Sequence, residues 1–442
     1  MTLARKQLKK YYISHIKNYS DKIPYFRQIA TFLWRVGWEI ILIFRSNWLS
    51  VDLKKIYWIN PKKILYALTS DAVIKNGKKH SERRFIMIGS EKRYIIKFEE
   101  RIVYRSFYEH FVKGKHWEET ELYKKVTNNL QKENSVWGCS SIDDYIRRFK
   151  KLDKLYIDIK QNGIKTQKEL NKNSLLKENM IKEIVNEIVA SIGPEGELIH
   201  RNGQHRLTIA KLLKLDKIPI QILYRHKDWL RFRKQIVSYL KKKFNGKTYQ
   251  PLLHPDLCDI PSIWSDKRFK LIKQKTAVKK GTLLDVGAHW GYFCHKFEDL
   301  GFQCTAMEDS ERNLYFMKKL KKAERLKFNI LSQSIFNEAK DEILKEELNF
   351  DIVLALNLFR QFKGMEEDLI FKLKKIFSAI KAKEVYFQIP EQDGALQLCK
   401  NADGKSKNLS PREFIGSIIE NSPFIDIERI GEERNHGIYK IS

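Results

Sequence analysis

"GTLLDVGAHWGYFCHKFEDLGFQCTAMED" occupies residues 281–309. Its opening TLLDVG is apolar except for one acid, the composition of a strand buried on both faces. The run breaks at Gly287, and Ala288, His289, Trp290 and Gly291 form a loop that leads into a helical pattern. FQCTAMED is a second strand, ending in acid. Strand, glycine loop, helix, strand and acid follow one another as in a Rossmann-like unit that binds a nucleoside cofactor. There Gly287 and Gly291 let a ligand lie against the backbone, and Glu308, about 20 residues on, accepts hydrogen bonds from ribose hydroxyls. Spacing alone does not identify the cofactor.

The Asp-x-Gly-x-x-x-Gly of Asp285, Gly287 and Gly291 departs from the Gly-x-Gly-x-x-Gly of NAD enzymes. It resembles motif I of class I S-adenosylmethionine-dependent methyltransferases, and Glu308 matches the acid that ends their second strand. FDIVLALNLFRQF (350–362) is similar to their motif IV strand and EVYFQIP (384–390) to their fifth strand. PREFIGSIIENSPFIDIERIGEERNHGIYKIS (411–442) supplies a helix and two strands for the family's reversed hairpin. The resemblance implies an α/β domain over 281–442 with a Rossmann-like seven-stranded sheet. It also implies S-adenosylmethionine as cofactor, held by Asp285, Gly287, Gly291 and Glu308. Transfer to a hydroxyl needs a base; His289 is the nearest candidate in sequence, and Asn357 at the end of the fourth strand is placed to orient the acceptor. Ser334 stands where many relatives have an Asp at the adenine, and Arg360-Gln361 replaces a His-His pair. A methyltransferase fold kept only as a scaffold is the competing expectation.

A second glycine turn lies in HRNGQHRLTIAKLLKLDKIPIQIL, residues 200–223. GELIH reads as a strand, Asn202-Gly203 as the reversal, 205–214 as a helix with Leu207, Ile209, Ala210, Leu212 and Leu213 inward, and KIPIQILY as the next strand. A helix start exposes free N–H groups, so Gly203, His205 and Arg206 together suit a phosphate. The run resembles the nucleotide-binding segment of the ParB/sulfiredoxin superfamily, over about 165–226. That resemblance implies an α+β domain with helical additions over 165–245. It also implies a nucleotide (ATP, ADP or CTP, with Mg) at Gly203, His205 and Arg206. Gln204 replaces the reactive cysteine of sulfiredoxins, so their redox repair is not expected.

The net charge of +30 is unevenly spread. Residues 281–442 hold 24 Lys and Arg against 26 Asp and Glu, whereas 1–280 hold 60 against 28. The step suggests a boundary at the lysine-rich KLIKQKTAVKKG and a linker over 246–280. Residues 1–55 form a basic, Trp-rich segment whose run IATFLWRVGWEIILIF (29–44) is too short and too charged to span a bilayer. It suits packing in the core or lying on an anionic membrane surface. Residues 56–164 alternate strand-like and helical runs, and His116, Glu118 and Glu119 read as a solvated helix start. The five cysteines are scattered, without disulfide or zinc spacing, so no metal is expected and a reducing cytoplasm fits, with a peripheral place at the inner membrane face as an extension.

The leading expectation is a methyltransferase with an attached nucleotide-binding module, its acceptor a small molecule such as a surface-glycan or lipid precursor. The alternatives are a nucleotide-dependent small-molecule kinase and a partition-like nucleic-acid-binding protein, each with a non-catalytic methyltransferase fold.

Overall fold

The computed structural model describes residues 37, 40–46, 51–68, 86–87, 95–130, 141–166, 169, 187–337, 342–343, 348–356, 369–391 and 409–442. It divides into two compact units, Met1–Lys234 and Gln235–Ser442.

In the first unit, β1 (Ile56–Ile59), β2 (Ile64–Leu68), β3 (Ile86–Met87), β4 (Ile95–Lys97), β5 (Ile188–Ile192), β6 (Leu198–Asn202) and β7 (Ile218–His226) build one mixed sheet. Its order is β1-β7-β5-β6-β2-β4, with β3 also paired to β7. α1 (Ile102–Phe111), α2 (Glu121–Leu130) and α3 (Ile142–Asn162) lie between β4 and β5 in the chain, and α4 (Gln204–Leu212) lies between β6 and β7. Between α1 and α2 the chain turns at Gly114, whose φ is 74°. His116 caps the turn that follows, its backbone N–H donating to Glu119 Oε2 at 2.9 Å. Ser141 caps α3 and Gly163 ends it, as the sequence signals require.

The run 29–44 lies mostly outside the described residues. Of its helical part, Ile40, Ile41, Ile43 and Phe44 are exposed and Leu42 is buried. No helix among the described residues is long and apolar enough to cross a membrane.

α5 (Lys227–Lys243) carries the chain past the unit boundary, and α6 (Lys267–Lys275) follows. The second unit then runs β8 (Thr282–Val286), α7 (Tyr292–Glu298), β9 (Gln303–Met307), α8 (Glu311–Glu324), β10 (Asn329–Leu331), β11 (Phe336–Asn337), β12 (Glu342–Ile343) and β13 (Leu348–Ala355). It ends with α9 (Leu369–Ala379), β14 (Ile380–Pro390), α10 (Pro411–Ile419), β15 (Ile427–Glu433) and β16 (His436–Ile441). The main sheet has the order β10-β9-β8-β13-β14-β16-β15. Neighbours are parallel from β10 to β14, and β16 runs antiparallel to β14 and β15. This is the Rossmann-like, methyltransferase-type seven-stranded sheet with its reversed hairpin. The central strands are apolar on both sides because helical faces cover both: Leu284, Val353 and Phe387 pack in one cluster, Leu283, Ile352 and Tyr386 in the other.

Residues 246–280 differ from the expected linker. Leu257 and Trp264 are buried, Thr248 N–H donates to Pro261 O at 2.8 Å, and Ile263 N–H returns to Thr248 O at 2.7 Å. Thr276 Oγ1 and Ala277 N–H donate to Glu384 at 2.7 and 2.9 Å, fastening the segment to β14. Lysine content misleads because lysines on the outer face of α6 reach solvent while Arg268, Phe269 and Ile272 turn inward.

Candidate functional site

In an open parallel sheet the crevice for a ligand opens beyond the carboxyl ends of the strands, where the chain order reverses. Here β8 is that point: β9 and β10 follow on one side, and the chain then crosses to β13 on the other. The structure brings Asp285, Gly287, His289, Gly291 and Glu308 to this end of the sheet. Gly287 and Gly291 have φ of 68° and 81°, and Gly291 is the N-cap of α7. A Cβ on Gly291 would stand 3.0 Å from Phe328 Cζ and 3.3 Å from Met317 Cγ, so packing as well as φ requires glycine there.

Glu308 binds the loop together. Its Oε2 accepts from His289 N–H at 2.8 Å, and its Oε1 from Ser310 N–H at 3.1 Å and Asn313 Nδ2 at 3.2 Å. A carboxylate offers about four lone-pair sites, which leaves room for one further donor. Burial pushes the Glu308 carboxyl up, and those three hydrogen bonds hold it down in part.

Asp285 is 1 % exposed, and its Oδ2 has no hydrogen-bond partner. Burial pushes this carboxyl up to about 8, against the opposing pull of Arg268. At neutral pH it is mostly protonated and can donate as well as accept.

The sequence reading missed what surrounds Asp285. Arg268, in the first turn of α6, is 1 % exposed. Its Nη1 donates to Gln388 Oε1 at 3.0 Å, its Nε lies 4.0 Å from Glu433 Oε2, and its guanidinium covers the Trp264 ring at 4.3 Å. Arg268 Nε and Nη2, Tyr292 OH, Gln388 Nε2, Glu433 Oε2 and Trp264 Nε1 are buried without a hydrogen-bond partner. Gln388 stands near the carboxyl end of β14 and Glu433 at the end of β15. Each unpaired polar group so buried costs about 1–3 kcal/mol, so the cluster is suited to partners that it does not itself contain. One signal was available: Arg268 is the only arginine among the lysines of α6 and falls four residues before Ile272, on the inward face. Arginine keeps its charge when buried.

His289 does not suit the role of base. Its ring stacks on Trp290 at 5.1 Å and meets Tyr249 at 5.5 Å. Burial lowers the imidazole to about 3, far below what a base working near neutral pH needs. Asn357, Arg360 and Gln361 lie outside the described residues. Ser334 follows β10 by three residues, beyond the same carboxyl end of the sheet as Glu308.

The residues of the turn at Gly203 have contacts within the protein. Gly203 has φ 79°, and a Cβ there would stand 2.8 Å from Ile188 Cα, so close packing of α4 on β5 accounts for the glycine. The His205 ring stacks on Phe107 at 5.6 Å, and burial holds the imidazole down at about 4, uncharged at neutral pH. Arg206 pairs with Glu187 at 3.6 Å and donates to Lys165 O. The three residues are adjacent as expected, but His205 and Arg206 are engaged by groups other than a phosphate. Among the described residues no group of three or more His, Cys, Asp or Glu could hold a metal ion.

No family model and no curated protein matches the chain. Among solved structures it is similar to monomeric WbdD, at 19% identity over 46% of this chain and 48% of that one, with a TM-score of 0.35. It is similar also to 1,6-didemethyltoxoflavin-N1-methyltransferase of Burkholderia thailandensis (15% identity, 37% and 71% covered, TM-score 0.26). A third is magnesium protoporphyrin IX methyltransferase of Synechocystis PCC 6803 (10% identity, 40% and 76% covered, TM-score 0.29). The chain spans about half the length of WbdD. The strand order and the reversed hairpin make the second unit a Rossmann-like α/β unit of the methyltransferase type.

Proposed function

We propose that the second unit binds S-adenosylmethionine beyond the carboxyl ends of β8 and β9 and transfers its methyl group to an anionic small molecule. The observation that carries this reading is the cluster of unpartnered buried polar atoms around Asp285 and Arg268. Their chemistry fits the cofactor's amino-acid end: Arg268 Nε and Nη2 donate to a carboxylate, and Asp285 and Glu433 oxygens accept from an ammonium group. The remaining lone pair of Glu308 suits a ribose hydroxyl. Bound there, S-adenosylmethionine supplies an electrophilic methyl group on a sulfonium.

The chain's own part is positional. Glu308 fixes the 287–291 loop through His289 N–H, and Trp264, Tyr249 and Phe293 wall the guanidinium of Arg268 from water. Holding two reactants in line supplies much of the acceleration of such a transfer. With His289 unsuited, the reading favours an acceptor whose nucleophile needs no strong base. The surplus of Lys and Arg over residues 1–280 supports an acceptor bearing phosphate, such as a glycan or lipid precursor. His205 and Arg206, engaged by Phe107 and Glu187, do not support a nucleotide at Gly203.

Calorimetric titration with S-adenosylmethionine tests the site. Arg268→Met removes two charge-assisted donors and is expected to weaken binding about tenfold or more. Wild-type heats from Arg268→Met and Asp285→Asn alike would sink the assignment.

A further inference from the structure

Residues 40–46 of the first unit are helical, and Leu42 fixes them to the sheet, buried in one cluster with Val51, Leu53, Val189 and Leu223. Gln221 Nε2 donates to Leu53 O at 2.8 Å and holds the following segment to the same face. At about 100° per residue, Ile40, Ile41, Ile43 and Phe44 spread over about 160° of the helix opposite Leu42. Ile41, the least exposed of the four, is 46 % exposed, and Phe44, the most, is 70 % exposed. A helix that rests on the core of a water-facing domain turns polar residues outward; this one turns out three isoleucines and a phenylalanine.

A fifth apolar side chain comes off the same face. Trp58 of β1 stands opposite Pro219 of β7, in step with Gln221 and Leu223. Alternate residues of a strand share a face, so the half-exposed Trp58 belongs to the face on which Leu42 packs. The chain around this surface is basic. Residues 1–55 hold 11 Lys and Arg against 3 Asp and Glu, a net of +8, and Lys54 and Lys62 are exposed.

We propose that this face docks the protein on an anionic lipid bilayer. Ile40, Ile41, Ile43, Phe44 and Trp58 enter the boundary between headgroups and acyl chains, and the surrounding Lys and Arg meet the lipid phosphates. Charge decides between this occupant and a second copy of the chain: a copy would match the apolar surface but would set two basic segments against each other. The inference is independent of the S-adenosylmethionine reading, whose residues all lie in the second unit.

The test is flotation of the full chain with vesicles of phosphatidylcholine alone and of phosphatidylcholine with about 30 % phosphatidylglycerol, at about 100 mM salt. The protein is expected to float with the anionic vesicles and to bind the neutral ones at least tenfold more weakly. Ile41→Ser with Phe44→Ser leaves the charge unchanged and alters only exposed side chains, so the thermal midpoint should stay within a few degrees of wild type. Its affinity for the anionic vesicles is expected to fall tenfold or more. No flotation with anionic vesicles would overturn the inference, and so would undiminished affinity of the double variant, which would assign the binding to charge alone. A dimer in sedimentation velocity that the double variant abolishes would also overturn it, by giving the face to a second copy.

Discussion

Asp285 shows how one residue changes meaning with burial. In sequence it is the acid of a glycine-loop motif; in the structure its carboxyl is pushed up to about 8 by burial. A folded pKa above the unfolded value of 3.8 gives stability that is full below about 4 and lost as pH rises through about 8. Wild type should therefore become less resistant to denaturant between those limits, by a few kcal/mol at most. Asp285→Asn should not, and superimposable pH profiles of the two proteins would show that the carboxyl is not held neutral. His205 has the opposite sign. Its folded value of about 4 lies below the ordinary 6.5, so stability is full above pH 6.5 and falls toward pH 4 as the unfolded chain takes up the proton. His205→Phe keeps a ring beside Phe107 and should recover up to about 3 kcal/mol at pH 4 to 5. A variant that melts like wild type at pH 5 and differs only above pH 7 would contradict the burial of this ring. The motif residues were legible in the sequence because glycines and acids at fixed spacing have few other uses. Arg268, Gln388 and Glu433 were not, since 165 residues separate the first from the last and nothing local says that they meet.

At the scale of elements, the two glycine-led helices are alike in backbone and different in surroundings. Gly203 and Gly291 both sit at positive φ as N-caps, of α4 and α7. A Cβ meets backbone at Gly203 but side chains at Gly291. Backbone cannot give way, so Gly203→Ala should cost more than Gly291→Ala, by about 3 kcal/mol or more against about 1–2 kcal/mol. Urea midpoints measured on both variants decide the order, and a milder effect at Gly203 would refute the packing account. Strands β6 and β7 and helix α4 fall within a residue or two of their expected bounds, because turn chemistry and apolar runs are local signals. The segment 246–280 misled, because lysines mark solvent on one side of α6 and say nothing of its other side. A linker and an amphipathic covering helix share that composition.

For the whole molecule, the division of charge is the feature that sequence alone carries. The excess of 32 positive charges over residues 1–280 predicts retention on heparin at low salt and elution as salt screens the surface. Flow-through at about 50 mM salt would show that these charges present no accessible anion-binding face. The sequence determined the βαβ unit, the order of strands and helices in the second unit and the site of its glycine loop. Period, turn residues and spacing act over short stretches, and the right-handed crossover rule limits how parallel strands connect. Only the tertiary structure decided the rest. It placed Arg268 beside Asp285 and Glu433 beside Arg268, gave His205 and Arg206 protein partners and stacked His289 on Trp290. Burial and pairing depend on which distant side chains arrive at the same place, and these fix whether a group is charged, satisfied or left open to a ligand.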